Sequence, residues 1–312
     1  MNTILVQAPG LLTTVQDLGR EGFGPAGVSP SGAADPLALR LGNVLVGNVE
    51  NAAALEMTLL GGEFLFPQGA ALALTGSDFG ATLDHVPVQP CASFEAQPGQ
   101  TLRLGPTKSG ARCYLCVRGG IDVPLFLGSA STHLLSRLGG FEGRALRKGD
   151  VLQIGAAAGP FQPRKLSATA LAKLAPRKIL RVTAGPQSDS FAPAAFRAFH
   201  SSVYRVAEES NRMGIRLQGQ PVALQSGDDM ITEGVSLGAV QIPSGGQPII
   251  LFVEQQTTGG YRKIANVISA DFSSLGQLRP RDEIRFEQVS REASRELFRR
   301  QEELLSAKDF FE

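Results

Sequence analysis

A mainly β, two-lobed fold is predicted by three observations. The 312 residues exceed what one hydrophobic core commonly serves, since domains run about 100 to 200 residues. Thirty-six glycines and 19 prolines favour many turns over long helices. Short apolar or alternating runs recur between turn residues through the first half (EFLF, ALALTG, TLRLG, CYLCVRG, VLQIG). That spacing belongs to a barrel or sandwich rather than to a βαβ series.

The elements follow in order. One early helix is expected: Asp35 can cap it, Pro36 suits its first turn, Leu37, Leu41, Val44 and Leu45 make one apolar stripe, and Gly47 can end it. It would cover one face of the first lobe. Cys113 and Cys116 form a C-x-x-C inside the strand-like CYLCV. In a strand, odd spacing sends the two thiols to opposite faces, so buried strand cysteines are expected rather than a redox or zinc pair. QPGQTLRLG, RKGDVLQIG and RPRDEIRF each place a turn before an alternating strand. Gly99 and Gly149 hold the turn position in the first two and Arg281 in the third; if that position needs positive φ, Arg281 carries strain. A stretch rich in Ala, Pro and Lys, about 155 to 178, is read as the connection between lobes. Beyond it come ILRVTAG, a helix-like FAPAAFRAFH, SNRMGIRLQG, PIILFV and NVIS, then a charged tail with Ala293, Leu297, Leu304 and Leu305 as a solvated helix. The expected division is an N-terminal lobe over 1–157, a C-terminal lobe over 178–290 and a terminal helix over 291–312.

Composition narrows the partners. A net charge of +1, from 30 basic and 29 acidic residues, gives no footprint for nucleic acid or an anionic membrane. The apolar runs fall short of the roughly 18 residues needed to span a bilayer, and the first ten residues lack a signal peptide's basic region. A cytoplasmic protein binding a small molecule or another protein is expected. His85, His133 and His200 are scattered, so no metal site is expected. Gly22, Gly24 and Gly27 spell G-x-G-x-x-G, but no apolar strand feeds it and Pro25 interrupts it, so a dinucleotide cradle is rejected. Gln16, Asp17, Arg20, Ser29, Ser31 and Asp35 either line a cleft or tie loops together. For Asp35 the helix cap is the better reading; for Asp17 and Arg20 both remain open.

The most informative stretch is QQTTGGYRKIA, residues 255–265, directly after PIILFV. Gln256 supplies an amide, Thr257 and Thr258 hydroxyls, and Gly259 and Gly260 let backbone approach a ligand. Tyr261 adds a donor on a flat apolar face and Lys263 a point charge. The set reads as a site for a small amide-bearing substrate.

TVQDLGR, GVSPSGAADP, NVLVGN, ALEMTLLGG, VRGGIDVP, NRMGIRLQG, QIPSGGQPIIL and QTTGGYRKIA, in this order, resemble the biotin-dependent carboxyltransferase-like family. That family includes the C subunit of ATP-dependent 5-oxoprolinase, allophanate-hydrolase-type subunits, an antagonist of a sporulation kinase inhibitor and the carboxyltransferase region of urea carboxylase. The resemblance implies two cyclophilin-like β-barrel lobes with a few short helices. It implies work in a complex with a smaller cyclophilin-like B subunit and a lactam-utilisation A subunit, which open 5-oxoproline to glutamate with ATP. No ATP site is located in this chain, and no lysine flanked by methionines is present, so any biotin is carried by another chain. The alternatives are carboxyl transfer to urea or a related amide with biotin supplied in trans, and a non-enzymatic regulator of a kinase inhibitor. Carried over residue by residue, the resemblance adds Arg212 and Gln241 to the site. Gln256, Tyr261 and Lys263 are then expected to be catalytic, and Arg212, Gln241, Thr257, Thr258, Gly259 and Gly260 to bind substrate. An arginine fork suits a carboxylate better than a lysine does, so Arg212 is the expected carboxylate anchor with Lys263 nearer the amide, the reverse assignment remaining open. Asn211, Thr232, Arg262 and Arg281 depart from the family's usual Asp, Ser, Pro and Gly.

Overall fold

The computed structural model describes residues 2–224, 230–305 and 310–311. Its contacts divide the chain into two units, one of 1–20, 31–175 and 305–312, the other of 21–30 and 176–304. Both are mainly β.

In the first unit a seven-stranded and a five-stranded sheet share one core. Alternation decides which side chains enter it. In Thr3–Ala8 the residues Ile4 and Val6 are fully buried, and in the adjacent Glu63–Phe66 so are Phe64 and Phe66. The central strand of the smaller sheet, Arg112–Val117, is buried along its whole length, as expected of a strand covered on both faces. Cys113, Leu115 and Val117 enter the core. Cys116 faces the other way, its Sγ 3.7 Å from the Leu39 carbonyl of the helix Pro36–Leu45. The cysteine spacing therefore does separate the thiols. Burial raises both thiol pKa values, which suits inert side chains.

That helix is built as its sequence implies. Asp35 Oδ1 accepts from Ala38 N at 2.9 Å, Pro36 begins it, and Leu37, Leu41 and Leu45 are buried. Gly42 sets how closely it lies on the sheet. A Cβ there would come within 2.5 Å of Cys116 Sγ and 2.7 Å of Thr75 Oγ1. Beneath it, Glu56 Oε2 accepts from Tyr114 Oη at 2.6 Å and from Ala34 N at 2.8 Å, so the buried carboxylate is hydrogen-bonded.

The second unit is a closed seven-stranded barrel in the order Ile179–Ala184, Arg262–Val267, Ala239–Ile242, Ile249–Leu251, Gly214–Gln218, Tyr204–Val206 and Glu283–Gln288. It closes where Ile179–Ala184 runs parallel to Glu283–Gln288. Closure leaves no unpaired edge in the barrel. Phe199, from the helix Pro193–Ser201, stacks on Phe286 with ring centroids 4.5 Å apart. Arg181 binds Asp271 through its backbone N–H at 2.7 Å and its guanidinium at 2.5 Å, fixing the turn Ser269–Asp271 to the first barrel strand.

The repeated turns behave as the repeat implies: Gly99 and Gly149 have φ of 85° and 93°, and Arg281 is held at 73°. Arg281 thus takes a left-handed conformation that a side chain disfavours, and its guanidinium pairs with Glu208 at 2.7 Å. The terminal helix Arg291–Leu305 buries none of its residues, in keeping with a solvated helix. The part of the expected tail helix over 306–309 lies outside the described residues.

Candidate functional site

The polar segment of the first lobe ties loops together. Asp17 accepts from Gly19 N, Ser129 Oγ, Ala130 N and Ser131 Oγ at 2.5–2.8 Å. Arg20 donates to the carbonyls of Phe126 and Ser131, and its guanidinium lies 5.4 Å from the Phe126 ring centre. Gln16 and Ser31 both donate to the Thr132 carbonyl. Four side chains that the sequence left between cleft and loop tie are thus spent on one segment, 126–132. The glycines of G-x-G-x-x-G also answer to local geometry. Gly22 and Gly27 have φ of 86° and 79°, and a Cβ on either would meet nothing within 4 Å. They shape the turn around Gly24–Ala26.

The second unit contains a cavity of about 510 Å3, within the size range usual for small-molecule sites. Its wall includes Gly24, Pro25, Pro186, Glu233–Ser236, Thr257, Thr258, Lys263 and Asn266. Lys263 sits in the strand Arg262–Val267, where strict alternation is broken. Against Ala239–Ile242, Val240 pairs with Ala265 but Gln241 pairs with Lys263, a β-bulge of one extra residue. Bulges re-aim side chains in this way. Here the bulge sets Gln241 and Lys263 opposite one another.

Lys263 is 3% exposed, and its ammonium meets Glu233 Oε1 at 2.5 Å. Gln187 Nε2 donates to the same oxygen at 2.8 Å. Gln187 is fixed in turn by the Lys263 backbone: its Oε1 accepts from Lys263 N at 3.2 Å and its N–H donates to Lys263 O at 3.3 Å. Gly185 permits this closeness, because a Cβ there would lie 2.2 Å from Lys263 O. The Lys263 and Gln187 hydrogen bonds hold the Glu233 carboxyl below its usual pKa, so it is an anion at neutral pH.

Glu233 lies on a two-stranded ribbon, Glu233–Gly234 against Thr258–Gly259, with Glu233 opposite Gly259. Behind the ribbon, Gln256 Nε2 donates to Gln241 Oε1 at 3.4 Å. A Cβ on Gly259 would come within 2.6 Å of Gln241 Nε2, so a larger residue there would have to displace that amide. Asn211 Oδ1 accepts from Met213 N at 2.8 Å. This is a local turn contact, and an Asp would make it equally well.

Of the residues expected at the site, Lys263, Thr257 and Thr258 line the cavity. Gln241, Gln256 and Gly259 form the layer behind it, and Gly260 approaches Thr232, whose Oγ1 a Cβ there would meet at 3.5 Å. Two residues lie elsewhere. Tyr261 is 49% exposed and does not line the cavity. Arg212 is 5% exposed and forms a buried ion pair through Nε with Glu254 Oε1, so its charge is matched within the protein. Gln187 and Glu233 escaped the sequence reading, since neither stands in a recognisable spacing with Lys263. The Gly-Pro preceding Gln187 at a strand end was the available signal. Among the described residues no group of three or more His, Cys, Asp or Glu could hold a metal ion, and no helix is long and apolar enough to cross a membrane. The cavity therefore offers one carboxylate braced by a buried ammonium and an amide, beside the hydroxyl residues Ser236, Thr257 and Thr258 and the amide residue Asn266, suited to a small, polar, hydrogen-bonding ligand.

The model of the carboxyltransferase domain, subdomain A and B, matches residues 26–288. The chain is 39% identical over 289 residues to the C subunit of 5-oxoprolinase from Haemophilus influenzae, covering 93% of this chain and 92% of that protein. It is 42% identical over 283 residues to the C subunit of 5-oxoprolinase from Escherichia coli, covering 91% and 90%. Among solved structures, the urea amidolyase of K. lactis superposes with a TM-score of 0.92 at 34% identity, over 97% of this chain but only 20% of that one.

Proposed function

Because this chain belongs to the carboxyltransferase subdomain A and B family, we propose that it is the C-type subunit of an ATP-dependent 5-oxoprolinase and supplies part of the lactam site. One observation carries the reading: both relatives named as the C subunit of 5-oxoprolinase match this chain over at least nine-tenths of their own length. The chain spans only a fifth of the length of the urea amidolyase.

In this reading 5-oxoproline enters the cavity lined by Thr257, Thr258 and Lys263. ATP transfers its terminal phosphoryl group to the amide oxygen and departs as ADP. Water adds to the activated carbon, the C–N bond breaks as the ring nitrogen takes up a proton, and a second water hydrolyses the resulting acyl phosphate to glutamate and inorganic phosphate. Preorganised donors aimed at the developing negative charge lower such barriers; the Thr hydroxyls and the Lys263 ammonium are the donors at hand. The Glu233 carboxylate on the wall opposes the phosphates of a nucleotide, and Lys263 is already matched to it. This favours placing ATP on another chain of the complex. The fork geometry of arginine is the ground for giving Arg212 the substrate carboxylate. The buried Glu254 pair favours giving that group to an exposed cation or a partner instead.

The test is reconstitution with the neighbouring subunits and measurement of ATP-dependent glutamate release from 5-oxoproline. Lys263→Met is expected to lower kcat/KM by about 100-fold, a loss typical of removing one charge-stabilising donor, with the thermal midpoint little changed. The second reading, carboxyl transfer to urea with biotin supplied in trans, is favoured by the TM-score of 0.92. A complex inert on 5-oxoproline but active on urea with a biotinylated carboxylase would establish it.

A further inference from the structure

The two oxygens of Glu233 differ. Oε1 is held twice, by Lys263 Nζ at 2.5 Å and Gln187 Nε2 at 2.8 Å. Among the described residues no hydrogen bond or ion pair engages Oε2. The side chain is 44% exposed and lies on the cavity wall, while the lysine beneath it is only 3% exposed. An ordinary surface ion pair joins two mobile, hydrated groups and fixes neither. Here a buried cation, an amide and a backbone ribbon hold one carboxylate oxygen, on a residue that lines the cavity.

We infer that Glu233 determines specificity by accepting the N–H of the ligand's amide through Oε2, with Lys263 and Gln187 bracing it from behind. An ionised carboxylate accepts hydrogen bonds and donates none, so the wall selects for ligands carrying an N–H. Lactams and ureas both carry one; N-alkylated amides do not. A site built to hydrogen-bond an N–H rejects the analogue lacking it far more strongly than an apolar pocket rejects one methylene. The inference rests on the proposed reading for the lactam itself, but the acceptor role holds for either amide.

The experiment uses the complex reconstituted with its partner subunits. It compares 5-oxoproline with N-methyl-5-oxoproline, and urea with tetramethylurea, in wild type and Glu233→Gln. Where a compound is not turned over, its dissociation constant from calorimetry replaces kcat/KM. Glutamine keeps the shape, but with its oxygen toward Lys263 it turns an NH2 to the cavity, a donor facing a donor. The expected result is a tenfold or greater loss on the N–H compounds, mostly in KM, with less than about threefold change on the methylated ones. The ratio between wild type and variant cancels the steric bulk of the methyl group. Equal losses on N–H and methylated compounds would mean that Glu233 only steadies Lys263, and would overturn the inference. So would no loss on either, or no binding of any N–H compound by wild type. Preference confined to urea would overturn the 5-oxoproline reading while leaving the role of Glu233 standing.

Discussion

At the scale of single residues, the same side-chain types have opposite fates according to burial and partner. Arg212 and Lys263 both lie in motifs that resemble the family's, and both are almost fully buried. Arg212 is matched by Glu254, itself 3% exposed, whereas Lys263 is matched by a carboxylate at the cavity wall. Breaking a buried pair leaves an uncompensated charge and costs about 3–5 kcal/mol. Arg212→Ala is therefore expected to lower the denaturation midpoint sharply, and a fully stable variant with a raised KM would restore Arg212 as carboxylate anchor. Arg281 was legible from the sequence alone: the turn repeat placed it where Gly99 and Gly149 stand, and its φ of 73° follows theirs. The split between Arg212 and Lys263 was not legible, because a motif names a residue type and not its counter-ion.

At the scale of elements, capping and alternation were readable and the bulge was not. The helix Pro36–Leu45 and the two faces of the Cys113–Cys116 strand follow from local chemistry. The extra residue opposite Val240 and Gln241 depends on how two strands 20 residues apart come into register, which no local pattern encodes. The helix Pro193–Ser201 carries a pH dependence. His200 packs between Phe196 and Phe199, with ring centroids at 4.7 and 5.0 Å. Burial lowers its pKa below the ordinary 6.5, offset only in part by the nearby Phe286 backbone. The folded state thus prefers the neutral ring, and the unfolded chain binds the proton more readily. The His200 contribution is full above about pH 6.5 and is lost as pH falls from there toward the folded-state pKa. Thermal melts from pH 7.5 to 5 are expected to show a falling midpoint that is shallower in His200→Leu. An unchanged slope in the variant would place the dependence on other groups.

At the scale of the whole molecule, the expectation of a mainly β protein with few short helices holds, and the second unit closes into a barrel. The first unit holds two sheets around one core. The glycine-rich segment 21–30, early in the chain, belongs to the second unit by its contacts. Its sequence position gives no sign of this. The relatives' names describe one subunit of a larger enzyme, which supports a division of labour between chains. The purified chain is accordingly expected to release no glutamate from 5-oxoproline and ATP, while the complex does. Robust turnover by the isolated chain would refute the dependence on partners.

The sequence by itself determined what near neighbours along the chain decide: strand alternation, the Asp35 cap, the positive-φ turns, the separation of the cysteines and the polar loop after PIILFV. These are contests among groups a few residues apart, and their chemistry is written in the spacing. The tertiary structure alone decided which charges meet. Gln187 and Lys263 converge on one carboxylate oxygen of Glu233 because barrel closure and a bulge bring segments 30 to 76 residues apart within hydrogen-bond reach. An electrostatic partnership depends on distance in space, and only the folded chain sets that distance.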